Sequence, residues 1–123
     1  MASIGYARVS TRDQNPDAQT DALGAAGCDK IFVEHASGVL ARRPALTDAL
    51  EYLRDGDTLV VTKLDRLGRS VRNLKEVVDG LQLRGVGLKA LSQGIDTTTP
   101  GGRLFFHMLA AIEIANIELH VDR

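Results

Sequence analysis

The run Thr58-Leu59-Val60-Val61-Thr62 constrains this chain more than any other stretch. It has no polar alternation, so a strand made from it must be covered on both faces, as in a parallel sheet sandwiched between helices. The neighbouring segments read consistently with that. Ile4 to Val9 forms a first strand. Asn15-Pro16 supplies a cap and a first helical residue for a helix that runs to about Ala26, where Gly27 stops it. Lys30 to Glu34 is a short second strand, and His35 to Arg43 a polar, glycine-containing loop. Pro44 opens a second helix with Leu46, Ala49, Leu50 and Leu53 on its inward face, and Asp55-Gly56-Asp57 is a turn. A third helix spans about Ser70 to Arg84, with Leu74, Val77, Val78 and Leu81 inward, before Gly85 ends it. Gly87 to Leu91 is a fourth strand. Strand and helix alternate, which predicts an α/β fold: a mainly parallel central sheet, flanked by helices and joined by right-handed crossovers.

In such sheets, sites lie at the carboxyl ends of strands. Ser10 follows the first strand and Lys63 to Arg69 follows the third, so these two loops are expected to meet. Strand residues alternate faces, which puts Tyr6, Arg8 and Ser10 on one side. A serine oxygen beside a fixed cation is a candidate nucleophile for phosphate, although a hydroxyl after a strand serves equally well as a loop or cap residue. From Lys63 to Lys75 there are five cations and one anion, a local net of +4 in a chain whose overall net charge is -1. Any polyanion site is therefore local. Arginine forks match phosphate oxygens in a bidentate way, and Arg66 and Arg69 would share a face in a helical turn. Asp65 beside them is placed to orient an arginine or handle a proton.

Other chemistries find little support. The 123 residues suit one domain, and no apolar run approaches the ~20 residues that span a bilayer. No basic-then-apolar segment opens the chain, so a cytoplasmic location without membrane contact is expected. Cys28 is the only cysteine, best read as a small core residue. No carboxylate or histidine pair has metal-ligand spacing, and there is no phosphate-loop sequence for ATP; no metal or cofactor is expected. His35 lacks the partners of a serine-histidine-aspartate triad, and His107 reads as a packed helical histidine. Residues 1–99 make the α/β core. Residues 100–123 read as one long helix of about 22 residues, roughly 33 Å, with Leu104, Phe105, Met108, Leu109, Ile112 and Leu119 on one broad side. So apolar a helix needs covering, partly by its own domain and partly by a second subunit.

Several separated motifs resemble the catalytic domain of the small serine recombinases, the resolvases and DNA invertases. They are Tyr6-Ala7-Arg8-Val9-Ser10-Thr11, Asp13-Gln14 with Gln19, Ala36-Ser37-Gly38 with Arg43-Pro44, and Lys63-Leu64-Asp65-Arg66-Leu67-Gly68-Arg69-Ser70. Ile95-Asp96-Thr97, Thr99-Pro100 and Gly102-Arg103-Leu104-Phe105-Phe106-His107 look most like the invertase branch.

The resemblance implies site-specific strand exchange on double-stranded DNA. Ser10 would attack the scissile phosphodiester and form a 5′-phosphoserine bond, with no ATP or metal. Arg8, Arg66 and Arg69 would clamp the phosphate and activate Ser10, with Arg43 as a fourth contributor. Asp65 would orient or exchange protons, and Tyr6, Gln14, Gln19 and Ser37 would support the site. The family acts as dimers that join into a tetramer, one half of which rotates; the long helix would carry those contacts. The family usually continues into a helix-turn-helix DNA-binding domain, which is expected to be absent here, since nothing follows Arg123. Asn116-Ile117 stands where the family commonly has an acidic residue and an arginine, so the contacts of this helix are expected to differ. Two other readings keep the same fold: a regulatory remnant that acts by pairing, and a phosphate-binding domain without turnover.

Overall fold

The computed structural model describes residues 2–10, 17–36, 44–67, 71–105 and 107–108, with the main chain alone at Ser10, Ala36, Asp65 and residues 71–73. In chain order the elements are β1 (Ser3–Ser10), α1 (Asp17–Ala25), β2 (Lys30–Ala36), α2 (Pro44–Tyr52), β3 (Thr58–Val61), a 3-10 turn (Leu64–Arg66), α3 (Val71–Leu83), β4 (Gly87–Ala90), a second 3-10 turn (Leu91–Gln93) and β5 (Ile95–Asp96). The sheet order is β2-β1-β3-β4-β5. The first four strands are parallel, and β5 pairs antiparallel with β4. The chain leaves β1 for β2 on one side and returns to β3 on the other. The strand order thus reverses between β1 and β3, the kind of switch point beside which open α/β sheets place their ligands.

Period-two alternation decides how the sheet is covered. Ile4 and Tyr6 of β1, Leu59 and Val61 of β3, and Leu88 and Ala90 of β4 face one side. Leu46 and Leu53 of the α2 region and Leu74, Val78 and Leu81 of α3 pack on that face. Ala7 and Val60 point the other way and meet Leu23 of α1, with Cys28, Ile31 and Leu91 around them. Both faces of β3 are therefore buried, as its uninterrupted apolar run requires. Cys28 is half-buried, and its desolvation, reinforced by the Asp29 charge, raises the thiol above its ordinary range.

The carboxylate of Asp57 binds the ends of two segments together, accepting from Ala2 N–H and Arg54 N–H at 2.9 Å each. Those two bonds hold its carboxyl below the usual carboxylate range. Arg84, at the end of α3, donates to the Leu50 and Leu53 carbonyls at the end of α2. Gly85 then turns the chain toward β4 with φ of 74°, in the left-handed region.

The structure departs from the sequence expectation in several places. β2 extends through His35 and Ala36, because Val9 and Ser10 of β1 supply ladder partners for both. His35 is thus an exposed strand residue and not part of the loop. β5 and the two 3-10 turns were not anticipated, being too short to carry a periodic signal. Helical backbone begins at 100, and Phe105 packs on the core. Leu104 and Met108 are 60% and 57% exposed, and His107 is exposed rather than packed. Only one flank of this segment meets the domain. Its expected continuation to Asp122 lies outside the described residues, as do Asn116 and Ile117. No helix among the described residues is long and apolar enough to cross a membrane.

Candidate functional site

The site grows out of a mismatch in strand length. The β1–β3 ladder stops at Gly5 and Val60, while β1 continues alongside β2 as far as Ser10 and Ala36. Past Gly5, one edge of β1 would be left with open backbone groups. At Arg8 that edge is occupied by a side chain instead of a strand. The Gln19 amide accepts from Arg8 N–H at 3.2 Å and donates to the Arg8 carbonyl at 2.8 Å. Gln19 is buried on α1, so it fixes the backbone two residues before Ser10.

The loop after β3 reaches the same point. The turn Leu64–Arg66 sinks Leu64 and, just beyond it, Leu67 into the core. From there Arg66 Nη1 donates to the Arg8 carbonyl at 3.2 Å. The loop after β3 therefore reaches the carboxyl-terminal half of β1 and joins Arg66 to the Arg8 main chain; the loop after β1 lies outside the described residues. Among the described residues, Arg8 Nη1 is buried without a hydrogen-bond partner. Arginine is always charged, and a buried unpaired donor on it is costly. An arriving anion oxygen is the ligand that would satisfy it.

Tyr6 is fully buried, and its hydroxyl donates to Glu34 Oε1 at 3.3 Å. The same carboxylate oxygen accepts from Ala45 N–H at 3.1 Å and Leu46 N–H at 3.2 Å. Glu34 thus caps the first turn of α2, where unpaired N–H groups and the positive helix end favour a carboxylate. It fastens together the two ends of the segment that carries Ser37 and Arg43. At the other loop, Leu64 N–H donates to Gln93 Oε1 at 2.9 Å.

Of the residues expected from sequence, Arg8, Gln19 and Arg66 are joined by these contacts, Tyr6 is bonded to Glu34 instead, and the main chain of Ser10 lies at the end of the strand that carries Tyr6 and Arg8. Asp65 lies within the 3-10 turn by its main chain. Gln14, Ser37, Arg43 and Arg69 fall outside the described residues. Sequence reasoning passed over Glu34 and Gln93. Glu34 had a usable signal, a carboxylate close upstream of a helix opened by Pro44. Gln93 had none, since its partner is distant in sequence.

Comparison with known proteins bears on this arrangement. The family model described as the resolvase N-terminal domain matches residues 3–123. The DNA-invertase hin of Salmonella typhimurium strain LT2 is 52% identical over 123 residues, covering 100% of this chain and 65% of that protein. The serine recombinase gin of Escherichia phage Mu is 50% identical over 120 residues, covering 98% of this chain and 62% of that one. Among solved structures, the N-terminal catalytic domain of TP901-1 integrase superposes with a TM-score of 0.81 at 31% identity, covering 95% of this chain and 97% of that domain. A resolvase-family site-specific recombinase from Streptococcus pneumoniae has the same fold, with a TM-score of 0.74 at 22% identity. The chain spans just under two thirds of the invertase hin.

Proposed function

This chain belongs to the resolvase N-terminal domain family, and on that basis we propose that it is the catalytic domain of a site-specific DNA recombinase working through Ser10. The substrate is a phosphodiester in duplex DNA. Ser10 Oγ forms a bond to phosphorus as the bond from phosphorus to the 3′ oxygen breaks. The proton lost by Ser10 is balanced by the one gained at the departing 3′-hydroxyl, an exchange assigned to Asp65. Rejoining is the reverse, with a 3′-hydroxyl attacking the phosphoserine and releasing Ser10. One phosphoester replaces another, so the step needs no external energy source. The work left to the protein is positioning and charge stabilisation of the transferring phosphoryl group. Arg8 and Arg66 take that part, with Arg69 and Arg43 as further clamps and Tyr6, Gln14, Gln19 and Ser37 in support.

The observation that carries this reading is the buried, unpartnered Nη1 of Arg8, fixed two residues from Ser10 and bridged through its own carbonyl to Arg66. An arriving anion oxygen would satisfy that donor two residues from Ser10. The test joins the chain to a sequence-specific DNA-binding domain and offers duplexes with candidate crossover sequences between the binding sites. A covalent protein–DNA adduct is expected that Ser10→Ala abolishes. If the unsubstituted fusion forms no adduct on any crossover sequence, the recombinase reading is wrong.

A further inference from the structure

We propose that Gln93 is a positioning residue for the arginine limb of the site; this rests on the recombinase reading above. The argument begins with an unmet need at the start of the Leu64–Arg66 turn. A helical turn leaves its first N–H groups without partners inside the turn, and a neighbouring side chain commonly caps them. Lys63 stands at the cap position in an extended conformation and makes no side-chain cap bond. The Leu64 N–H is instead taken by Gln93 Oε1 at 2.9 Å, from 29 residues further along the chain.

Gln93 is well placed for this because its own turn is tied to the loop after β3. Ser92 N–H donates to the Thr62 carbonyl at 2.9 Å. Gly94, with φ of 64° in the left-handed region, ends the turn right after Gln93. The loops after β3 and β4 are thus cross-tied twice, once through main chain and once through Gln93. Leu64 and Leu67 anchor the turn's apolar side in the core, while Gln93 holds the main chain at its start. Arg66 sits at the far end of that three-residue turn and reaches the Arg8 carbonyl. A rotation of so short a turn would carry the guanidinium away from Arg8 and from the phosphate that Ser10 attacks. Gln93 touches neither Arg8 nor Arg66 in any described contact; its effect passes through the Leu64 main chain.

The experiment compares Gln93→Ala with Gln93→Glu in the full chain and in the DNA-binding fusion. Gln93 is exposed, so neither change should cost the fold. In the fusion, Gln93→Ala is expected to slow formation of the Ser10–DNA adduct by about tenfold to a hundredfold, as for a loss of alignment of an ångström or less. Gln93→Glu keeps an acceptor oxygen and should recover most of the rate. The thermal midpoint should fall by no more than a few degrees in Gln93→Ala, the loss of one cap bond, and stay near that of the unsubstituted chain in Gln93→Glu. In the isolated chain, amide exchange at Leu64 should accelerate in Gln93→Ala and not in Gln93→Glu, and the NMR signal of the Arg66 side chain should move with it. An unaltered Arg66 signal in Gln93→Ala overturns the proposal, whether or not DNA is cut. An adduct rate equal to the unsubstituted fusion does the same. Absence of any adduct with the unsubstituted fusion condemns the recombinase reading instead, and the Arg66 signal then decides the positioning claim by itself.

Discussion

Replacing Glu34 by alanine should destabilise the domain by about 2 kcal/mol, a figure that can be built bond by bond. Glu34 is 6% exposed, and its Oε1 accepts from the Tyr6 hydroxyl, Ala45 N–H and Leu46 N–H at 3.3, 3.1 and 3.2 Å. Loss of a helix cap costs ~1 kcal/mol. The bond donated by the Tyr6 hydroxyl is lost as well, which costs a further ~0.5–1.5 kcal/mol. The distances are on the long side for such bonds, which favours the lower part of that range. Glu34→Gln keeps an acceptor but loses the charge at the positive end of α2, worth about 0.3–1 kcal/mol. Tyr6→Phe removes the donor and leaves the cap intact, so it should cost ~1 kcal/mol. The assay is urea unfolding. With a slope of about 1–3 kcal/mol/M for a small domain, Glu34→Ala should lower the midpoint by roughly 0.7–2 M. The double variant Tyr6→Phe with Glu34→Ala should be less destabilised than the two single changes added together, since both single changes remove the same Tyr6–Glu34 bond. A Glu34→Ala loss under ~0.5 kcal/mol would refute the idea that this carboxylate fastens β1, β2 and α2 together.

Two further outcomes follow from the contacts at the ends of elements. A Cβ on Gly102 would lie 1.8 Å from the Asp96 carbonyl oxygen, whereas one on Gly101 would meet nothing within 4 Å. Gly102→Ala should therefore cost ~1–3 kcal/mol, a fall of several degrees in thermal midpoint, while Gly101→Ala should be neutral or mildly stabilising. Asp57 has its carboxyl lowered by the Ala2 and Arg54 N–H groups. Its contribution is complete above the unfolded value of about 3.9 and is lost as pH falls through the lower folded value. The stability gap between the native chain and Asp57→Asn should be constant near neutrality and shrink below about pH 4, as read from urea midpoints across pH.

Particular residues show why some of this was legible in the sequence and some was not. Leu59, Val60 and Val61 have no polar neighbour to turn outward, so a strand covered on both sides was the only economical reading, and the structure has it. The inward faces of α2 and α3 followed from their spacing: Leu46, Ala49, Leu74, Val78 and Leu81 are all buried. That the loop after β3 reaches the carboxyl-terminal half of β1 followed from topology. Against this, β5 has two residues and each 3-10 turn three, too few to repeat a pattern. His107 was read as packed because its neighbours are apolar, yet the domain covers only the Phe105 and Gly102 flank. Periodicity identifies an apolar side without saying what will cover it. The Gln93–Leu64 bond is invisible in one dimension, because neither partner's residue type announces the other.

The candidate site can be traced to one inequality: β1 has eight residues and β3 four. If β3 ran as far as β1, its backbone would occupy the edge beside Arg8, and neither Gln19 nor Arg66 could reach the Arg8 main chain. The shorter strand leaves a gap that side chains must fill. Gln19 reproduces the donor and acceptor of a missing strand, and Arg66 adds a second donor to the same carbonyl. The Arg8 backbone is thereby held as firmly as a ladder residue. Its Nη1 is buried with no hydrogen-bond partner among the described residues, and an unmet donor costs ~1–3 kcal/mol. Under the proposed function, a phosphate oxygen would remove that cost, and because the Arg8 main chain is already fixed, little further ordering would be needed as charge develops in transfer. Lysine at position 8 could keep the charge but not the planar fork. Arg8→Lys should therefore lower the rate of adduct formation in the DNA-binding fusion even though the charge is kept.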